Sequence, residues 1–214
     1  AELRRHVESW GQRADVRSVG YRMVRAFRLT VAELAFEPLT ARCTAKDADF
    51  EYRWLHQYEG PLWRLVSERP AHLLDPRFSS WDEALLAAVD DMLVELTEDG
   101  TPLGEQTWGR LNTTAIQHPL SQALPWLGRF LDMPANPLPG DSNMPRVQQR
   151  VHGASERLVV SPGREEEGLF HMPGGQSGHP LSPYYRRGHT DWERGHPTPF
   201  LPGPTTHELA MEPL

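Results

Sequence analysis

Cysteine is almost absent from this sequence: Cys43 stands alone in 214 residues. No disulfide can form within the chain, and no cysteine cluster can hold zinc. A single thiol does not fix a redox compartment. Positive charge is also in deficit, with 22 Lys and Arg against 29 Asp and Glu and a formal net charge of −7 at pH 7. That balance gives no basic field of the kind that draws nucleic acid. No apolar run approaches the roughly 20 residues that cross a bilayer. The ten histidines include no HExxH and no His-x-His with acidic partners. No internal repeat is visible.

What is present is enough chain for one domain, or for part of a larger one. Mean hydropathy is low at −0.57. Most of the 20 prolines fall after residue 118, so the back half is rich in loops and turns. Residue 1 is Ala, and the chain runs directly into Glu2-Leu3-Arg4-Arg5-His6-Val7-Glu8-Ser9-Trp10, a helical pattern. The expectation drawn from this is a chain that begins inside a longer protein.

Two halves follow different patterns. Residues 1–104 read as a helical segment. Over 18–40, Val19, Met23, Val24, Phe27, Val31, Leu34 and Ala35 recur at three- and four-residue steps, the spacing of one helix face. Arg17, Arg22, Arg25, Arg28 and Glu33 fall largely elsewhere and predict a solvated face; Pro38 predicts the helix end. Over 47–63, Phe50, Trp54, Leu55, Tyr58 and Leu62 form a second pattern, with Gly60-Pro61 as an interruption. The clearest helix spans 80–98. Ser80 and Glu83 make a capping box, Leu85, Val89, Met92, Leu93 and Leu96 make the buried stripe, and Gly100 and Pro102 end it. Residues 105–214 read as a β-rich segment with Pro/Gly-rich loops. Strands are expected at 107–114, 146–151, 157–160 and 168–172, the middle two joined as a hairpin through His152-Gly153-Ala154-Ser155. Short helices are expected at 125–132 and 184–194, and an edge strand at 205–211. The fold class is α+β.

One stretch carries a resemblance: Met172-Pro173-Gly174-Gly175-Gln176-Ser177-Gly178-His179-Pro180-Leu181-Ser182-Pro183-Tyr184-Tyr185, then Asp191-Trp192, Gly195 and Pro197. It resembles the C-terminal signature of the penicillin acylase (penicillin amidase) family, a GGQSG-like turn followed by Ser-Pro-His/Tyr-Tyr and a Trp. Upstream, Gly153-Ala154-Ser155-Glu156-Arg157 resembles the family's Gly-Ala-Ser-x-Arg strand entry. Thr107-Trp108-Gly109 with His118-Pro119-Leu120 resembles its Trp-Gly and His-Pro pair. Ser9-Trp10 and Ser18-Val19-Gly20-Tyr21 fit its helical segment, although Gly11 follows Trp10 where an Asp is usual. The likeness covers nearly the whole chain and is strongest from Arg146 to Pro204.

The resemblance implies part of an N-terminal nucleophile hydrolase, an αββα sandwich in which this chain supplies a helical subdomain and several C-terminal strands. Such enzymes split N-acyl amides, including penicillins and acyl-homoserine lactones, with a Ser whose own α-amine is the base. It implies antibiotic biosynthesis or quorum quenching as settings, and a periplasmic or secreted location. The partners it implies are the rest of the acylase, the upstream β-chain part and the α-chain, with no nucleic acid and no membrane. The catalytic Ser, the oxyanion Asn, the helper Arg and the calcium ligands would all lie upstream. No cofactor, metal or catalytic residue is therefore assigned here, and the isolated chain is expected to be inactive and marginally soluble. Ala1 has no hydroxyl to act as nucleophile. Some cephalosporin-processing members place a Glu on a C-terminal strand; Ser161 falls at that position, with Glu156 and Glu165 nearby.

Other features have plainer readings. Gly174-Gly175-Gln176-Ser177-Gly178 lacks the residue between Ser and Gly that a nucleophile elbow needs, so it reads as a tight turn with Gln and Ser bonded to nearby main chain. An independent Ser–His hydrolase would need Ser177, or another Ser, beside a His held by a carboxylate. Were a metal bound, His171 and His179 would be the first ligands to suspect. Arg164-Glu165-Glu166-Glu167-Gly168 reads as a solvated hairpin tip, since three adjacent carboxylates resist burial. The seven tryptophans read as core and interface residues, not an acyl pocket. A stand-alone binding or scaffold protein derived from such a hydrolase is the alternative reading.

Overall fold

The structure is a computed structural model that describes residues 1–50 and 57–213. The described chain divides into two compact units, Ala1–Trp108 and Gly109–Leu214. No described helix is long and apolar enough to cross a membrane.

The first unit is helical, with α1 (Glu2–Glu8), α2 (Val19–Thr44), α3 (Glu59–Glu68) and α4 (Trp81–Thr97). The Ser18 hydroxyl accepts from Tyr21 N–H and starts α2. Met23, Val31, Ala32 and Ala35 then face inward at helical spacing. On α4 the buried residues are Trp81, Ala84, Ala88, Met92 and Leu96. Small alanines let α4 lie close to α2, and Val31, Ala32, Ala35, Leu62, Trp81 and Ala88 make one apolar cluster. Val19, Met23, Met92 and Leu96 make a second. Burying one such Met contributes about 2 kcal/mol. The expected capping box forms with a shift. Ser80 Oγ accepts from Glu83 N–H at 3.1 Å, while the Glu83 carboxylate reaches back one residue further, to Ser79 N–H at 2.7 Å. Gly100 then turns the chain with a φ of 74°.

Three expectations for this unit are corrected. Helix α2 runs through Pro38 to Thr44. Proline removes one ladder donor, but Ala35 on the preceding turn is buried and the Thr40 hydroxyl donates back to Glu37 C=O, so the helix is held on both sides. Gly60-Pro61 opens α3 and does not interrupt it, because a first-turn N–H has no helical partner to lose. The Phe50–Tyr58 part of that aromatic pattern includes Trp54 and Leu55, which lie outside the described residues. Arg22, Arg25 and Arg28 are half-buried, not a solvated face, while Arg17 before the helix is exposed. Arg22 donates to Thr107 C=O and Arg28 pairs with Glu59 at 2.8 Å.

Among its described residues the second unit holds four α-helices, α5 (Trp108–Leu111, whose first residue closes the first unit), α6 (Pro119–Ala123), α7 (Gly128–Leu131) and α8 (His189–Arg194), and two strands. Strand β1 (Arg157–Val159) pairs antiparallel with β2 (Leu169–His171), with Leu158 opposite Phe170. The α+β class stands at this coarse level. The Glu165–Glu167 charge run forms a 3-10 turn in the β1–β2 connection, mostly exposed, with Arg164 pairing to Glu167.

Four strand or helix expectations change here. The 107–114 strand is replaced by α5, whose turn is held by Thr113 Oγ1 donating to Gly109 C=O at 2.7 Å. The 146–151 strand is reduced to single bridges, Asp141↔Val147 and Gln148↔Gly153. Gln149 N–H already bonds His152 C=O at 2.7 Å, so the chain reverses too early for a ladder, and β1 takes β2 as its partner. The 184–194 helix shortens to α8, because Tyr185 C=O accepts from Gly175 N–H and so is not part of a helical ladder. Residues 205–211 form no strand; the segment is exposed throughout and pairs with no described strand.

Candidate functional site

The second unit is organised around α8, a helix of two turns with a polar interior. His189 and Glu193 lie four residues apart on one face, and both are buried. His189 Nε2 meets Glu193 Oε1 at 2.9 Å, and His189 Nδ1 meets Pro173 C=O at 2.6 Å. The Glu193 carboxylate also accepts from Asn136 Nδ2 at 3.0 Å and from the Thr114 hydroxyl at 3.3 Å. Both ring nitrogens of His189 thus face oxygen acceptors. No nitrogen is left to receive a proton from a serine, which a Ser–His base requires.

The carbonyls at the end of α8 carry partial negative charge and need donors. Arg157 Nη1 donates to Trp192 C=O at 3.0 Å, and Gln148 Nε2 donates to the same carbonyl at 3.1 Å. Arg146 donates to Glu193 C=O and to the Gln148 side chain. Burial lowers the pKa of the Arg146 guanidinium from its ordinary value. It lowers that of Arg157 too, and the neighbouring Arg146 charge adds to the effect. Asn112 ties the surrounding loops together: its side-chain NH₂ donates to the carbonyls of Leu138, Gly140 and Gln148 at 3.0, 3.3 and 3.0 Å. Two hydrogens serve three acceptors, so at least one bond is shared.

The motif residues find their roles in this framework. Trp192 is fully buried and donates from Nε1 to Ala154 C=O at 2.9 Å. A Cβ on Gly153 would lie 2.3 Å from the Trp192 ring, so the Gly-Ala-Ser run and the distant Trp require one another. Arg157 completes the set, with its guanidinium 5.8 Å from the Trp192 ring centre. In the Gly174-to-Gly178 turn, Gly175 N–H donates to Tyr185 C=O at 2.9 Å. A Cβ there would come within 1.7 Å of Tyr184 C=O, so only glycine permits the approach. The Ser177 hydroxyl accepts from His179 N–H, as a turn residue does, whereas Gln176 reaches the Met172 sulfur and not main chain. Tyr185 Oη donates to Leu131 C=O at 2.6 Å, and Arg186 donates to the carbonyls of Arg129 and Asp132, closing the end of α7.

His118-Pro119 opens α6, with Asp132 as the brace. The Asp132 carboxylate accepts from His118 N–H and from the Ser121 hydroxyl. Burial alone would raise its pKa. The Ser121 hydroxyl, the His118 N–H and the charges of His118 and Arg186 outweigh that and hold it below the usual value.

The metal suspects bond to main chain. His171 Nε2 meets His196 C=O, and its Nδ1 lies 3.3 Å from Arg157. His179 Nδ1 accepts from Leu181 N–H at 3.2 Å. Among the described residues no three His, Cys, Asp or Glu side chains gather as a metal set. Ser161 and Glu156 are exposed, and the Glu165 carboxylate is held below its usual pKa by accepting from Gly163 N–H. Trp81, Trp108 and Trp192 are buried, while Trp63 and Trp126 are largely exposed. Sequence reasoning missed the His189–Glu193 pair; its only signal was the i, i+4 spacing inside a motif already read for its Trp.

Beside this framework lies a cavity of about 530 Å³. Phe170, His171 and Met172 line one side, the Gly174-to-Ser177 turn another, and Ser182, Tyr184, Arg187 and Thr198 the rest.

These bonds account for the residues that carry the resemblance, and comparison with known proteins gives the class. A model of the penicillin amidase family matches residues 1–207, and the chain belongs to that family. Among individual relatives, the penicillin acylase 2 proenzyme of Pseudomonas sp. (strain SE83) is 26% identical over 221 residues, covering 94% of this chain and 26% of the relative. The chain therefore spans about a quarter of that relative's length.

Proposed function

We propose that this chain is the C-terminal part of an acylase that hydrolyses N-acyl amide bonds, and that it completes the fold around a site built by the rest of the polypeptide. The observation that carries this is the outer edge of β1. Phe170 N–H donates to Thr198 C=O at 3.1 Å, and the Thr198 hydroxyl donates to Phe170 C=O, so the main-chain groups of Phe170 point away from β1. Leu158 stands opposite Phe170 in register. In an antiparallel pair it must then direct its own N–H and C=O outward, to an edge that β2 cannot serve. Successive residues of a strand face opposite sides, and both Leu158, 53% exposed, and Val159, 62% exposed, are apolar. Stand-alone sheets guard such an edge with charge, proline or a covering element. A short strand with an exposed apolar side chain on each face and an open edge fits an inner position in a larger sheet, as in an αββα sandwich.

The substrate class follows the family: penicillins, acyl-homoserine lactones or similar N-acyl amides, in a periplasmic or secreted enzyme. The chain's own buried histidine–carboxylate pair supports a non-catalytic role, since its imidazole is engaged at both nitrogens. The test is an amidase assay with a phenylacetyl nitroanilide and a long-chain acyl-homoserine lactone. The chain alone is expected to be inactive and poorly soluble, and the chain with the upstream coding segment active. Activity from the chain alone that is lost in Ser177→Ala overturns the proposal.

A further inference from the structure

The cavity beside the Gly174-to-Gly178 turn joins an apolar wall to a single arginine. Phe170, Met172 and Tyr184 supply an apolar wall, Ser177 and Ser182 supply hydroxyls, and no Asp or Glu is among the described lining residues. Arg187 is the strong cation of the lining. Its guanidinium sits 5.4 Å from the Tyr184 ring centre, and it makes no hydrogen bond or ion pair with a described residue. The adjacent Arg186 behaves differently, since its donors close the end of α7. A guanidinium held against an aromatic ring keeps its in-plane N–H groups available, and their fork matches a carboxylate.

The walls are fixed before any ligand arrives. Gly175 is bonded beneath Tyr185, the Thr198 hydroxyl is bonded to Phe170 C=O, and the His171 ring is engaged at both nitrogens. The volume of about 530 Å³ lies within the range of small-molecule sites, roughly 300–1,000 Å³.

We infer that this cavity binds a small amphipathic monocarboxylate, with its apolar body against Phe170, Met172 and Tyr184 and its carboxylate on Arg187. The inference goes beyond the fold-completing role and does not depend on it, because every residue of the cavity lies within the second unit. The test uses the full-length protein that carries this chain, labelled with ¹³C at the methionine methyls. The Met172 signal is assigned by its loss in Met172→Leu. Titration with 3-phenylpropionate is expected to move that signal saturably, and the neutral 3-phenylpropanamide to bind far more weakly. Arg187→Gln is expected to weaken the carboxylate roughly tenfold, the worth of one charge-assisted hydrogen bond, and Arg187→Lys to restore part of the loss. Arg187 is exposed, so the fold is not at stake, and unchanged hydrogen-exchange protection across residues 109–214 verifies that. An unmoved Met172 signal, equal binding of acid and amide, or an unchanged dissociation constant in Arg187→Gln overturns the inference. Such a result leaves the amidase test untouched.

Discussion

The two units are stabilised by different chemistry. Among the described residues, the first buries twelve apolar side chains and only two polar ones, Asp75 and Gln106. The second buries two apolar side chains, Leu138 and Trp192, and eight polar ones, Glu193, His189, Asn112 and Gln148 among them. An apolar core is tolerant: side chains of similar size can replace one another at modest cost. A polar interior is not, because each buried donor or acceptor left alone forfeits its full desolvation energy. The second unit should therefore fail sharply where one bond is removed, and the first gradually.

Glu193→Ala is the largest test of that contrast. It leaves His189, Asn136 and Thr114 without their shared acceptor and is expected to cost about 3–5 kcal/mol, since each buried polar group left unsatisfied costs about 1–3 kcal/mol. The double change His189→Phe with Glu193→Leu removes both partners, and is expected to cost less than the single one. Urea midpoints of the two variants decide the matter. Equal losses would show the pair to be ordinary packing. Met92→Ala in the first unit is expected to fall somewhat below Glu193→Ala, at about 3 kcal/mol, with Met92→Leu near neutral. Hydrogen exchange should place the loss within residues 1–108 for Met92→Ala and within 109–214 for Glu193→Ala.

The same contrast governs what the sequence discloses. Helices α2 and α4 were legible because apolar periodicity and a Ser cap are local signals. The Ser80–Glu83 box and the Met92–Leu96 stripe needed only neighbouring residues. Pro38 misled because α2 is held by the burial of Ala35 before it and by the Thr40 hydroxyl bond to Glu37 C=O after it. In the second unit the strands at 107–114 and 146–151 misread residues whose decisive bonds run far along the chain. Gln148 reaches Trp192 C=O, and Asn112 reaches Leu138 C=O. Such bonds leave no period. The motifs did disclose which residues matter, through the family likeness, but not that Gly153 matters because of Trp192 or Gly175 because of Tyr184.

A smaller effect is expected at the α4 cap. Ser80→Ala removes the acceptor for Glu83 N–H and should cost about 1 kcal/mol, and Ser80→Asp should restore it. Thermal unfolding measures both. A loss as large as that of Met92→Ala would mean that the first unit, too, depends on single polar bonds, and the contrast between the units would break.

The smallest effect should be present at neutral pH and vanish in acid, at Asp75, the one buried carboxylate among the described residues of the first unit. Asp75 accepts from Arg77 Nε and from Arg77 N–H, both at 2.8 Å. The Arg77 side-chain bonds hold its pKa below the ordinary value of 3.8; burial pushes the other way, while the Arg77 N–H and charge add to the lowering. A carboxylate with a lowered folded pKa binds fewer protons folded than unfolded near that pKa. Its contribution is complete above 3.8 and is lost as the pH falls through the lower folded value. Asp75→Asn should therefore be less stable than the parent at pH 7, with the gap closing below pH 3.8. Glu37 also pairs with Arg77, at 3.0 Å, but is largely exposed, so Glu37→Gln should change the acid limb little. Unfolding midpoints from pH 7 down to about 2 would show the gap closing. A constant gap would mean that Asp75 supports the turn by its shape and hydrogen bonds alone, with no part played by its charge.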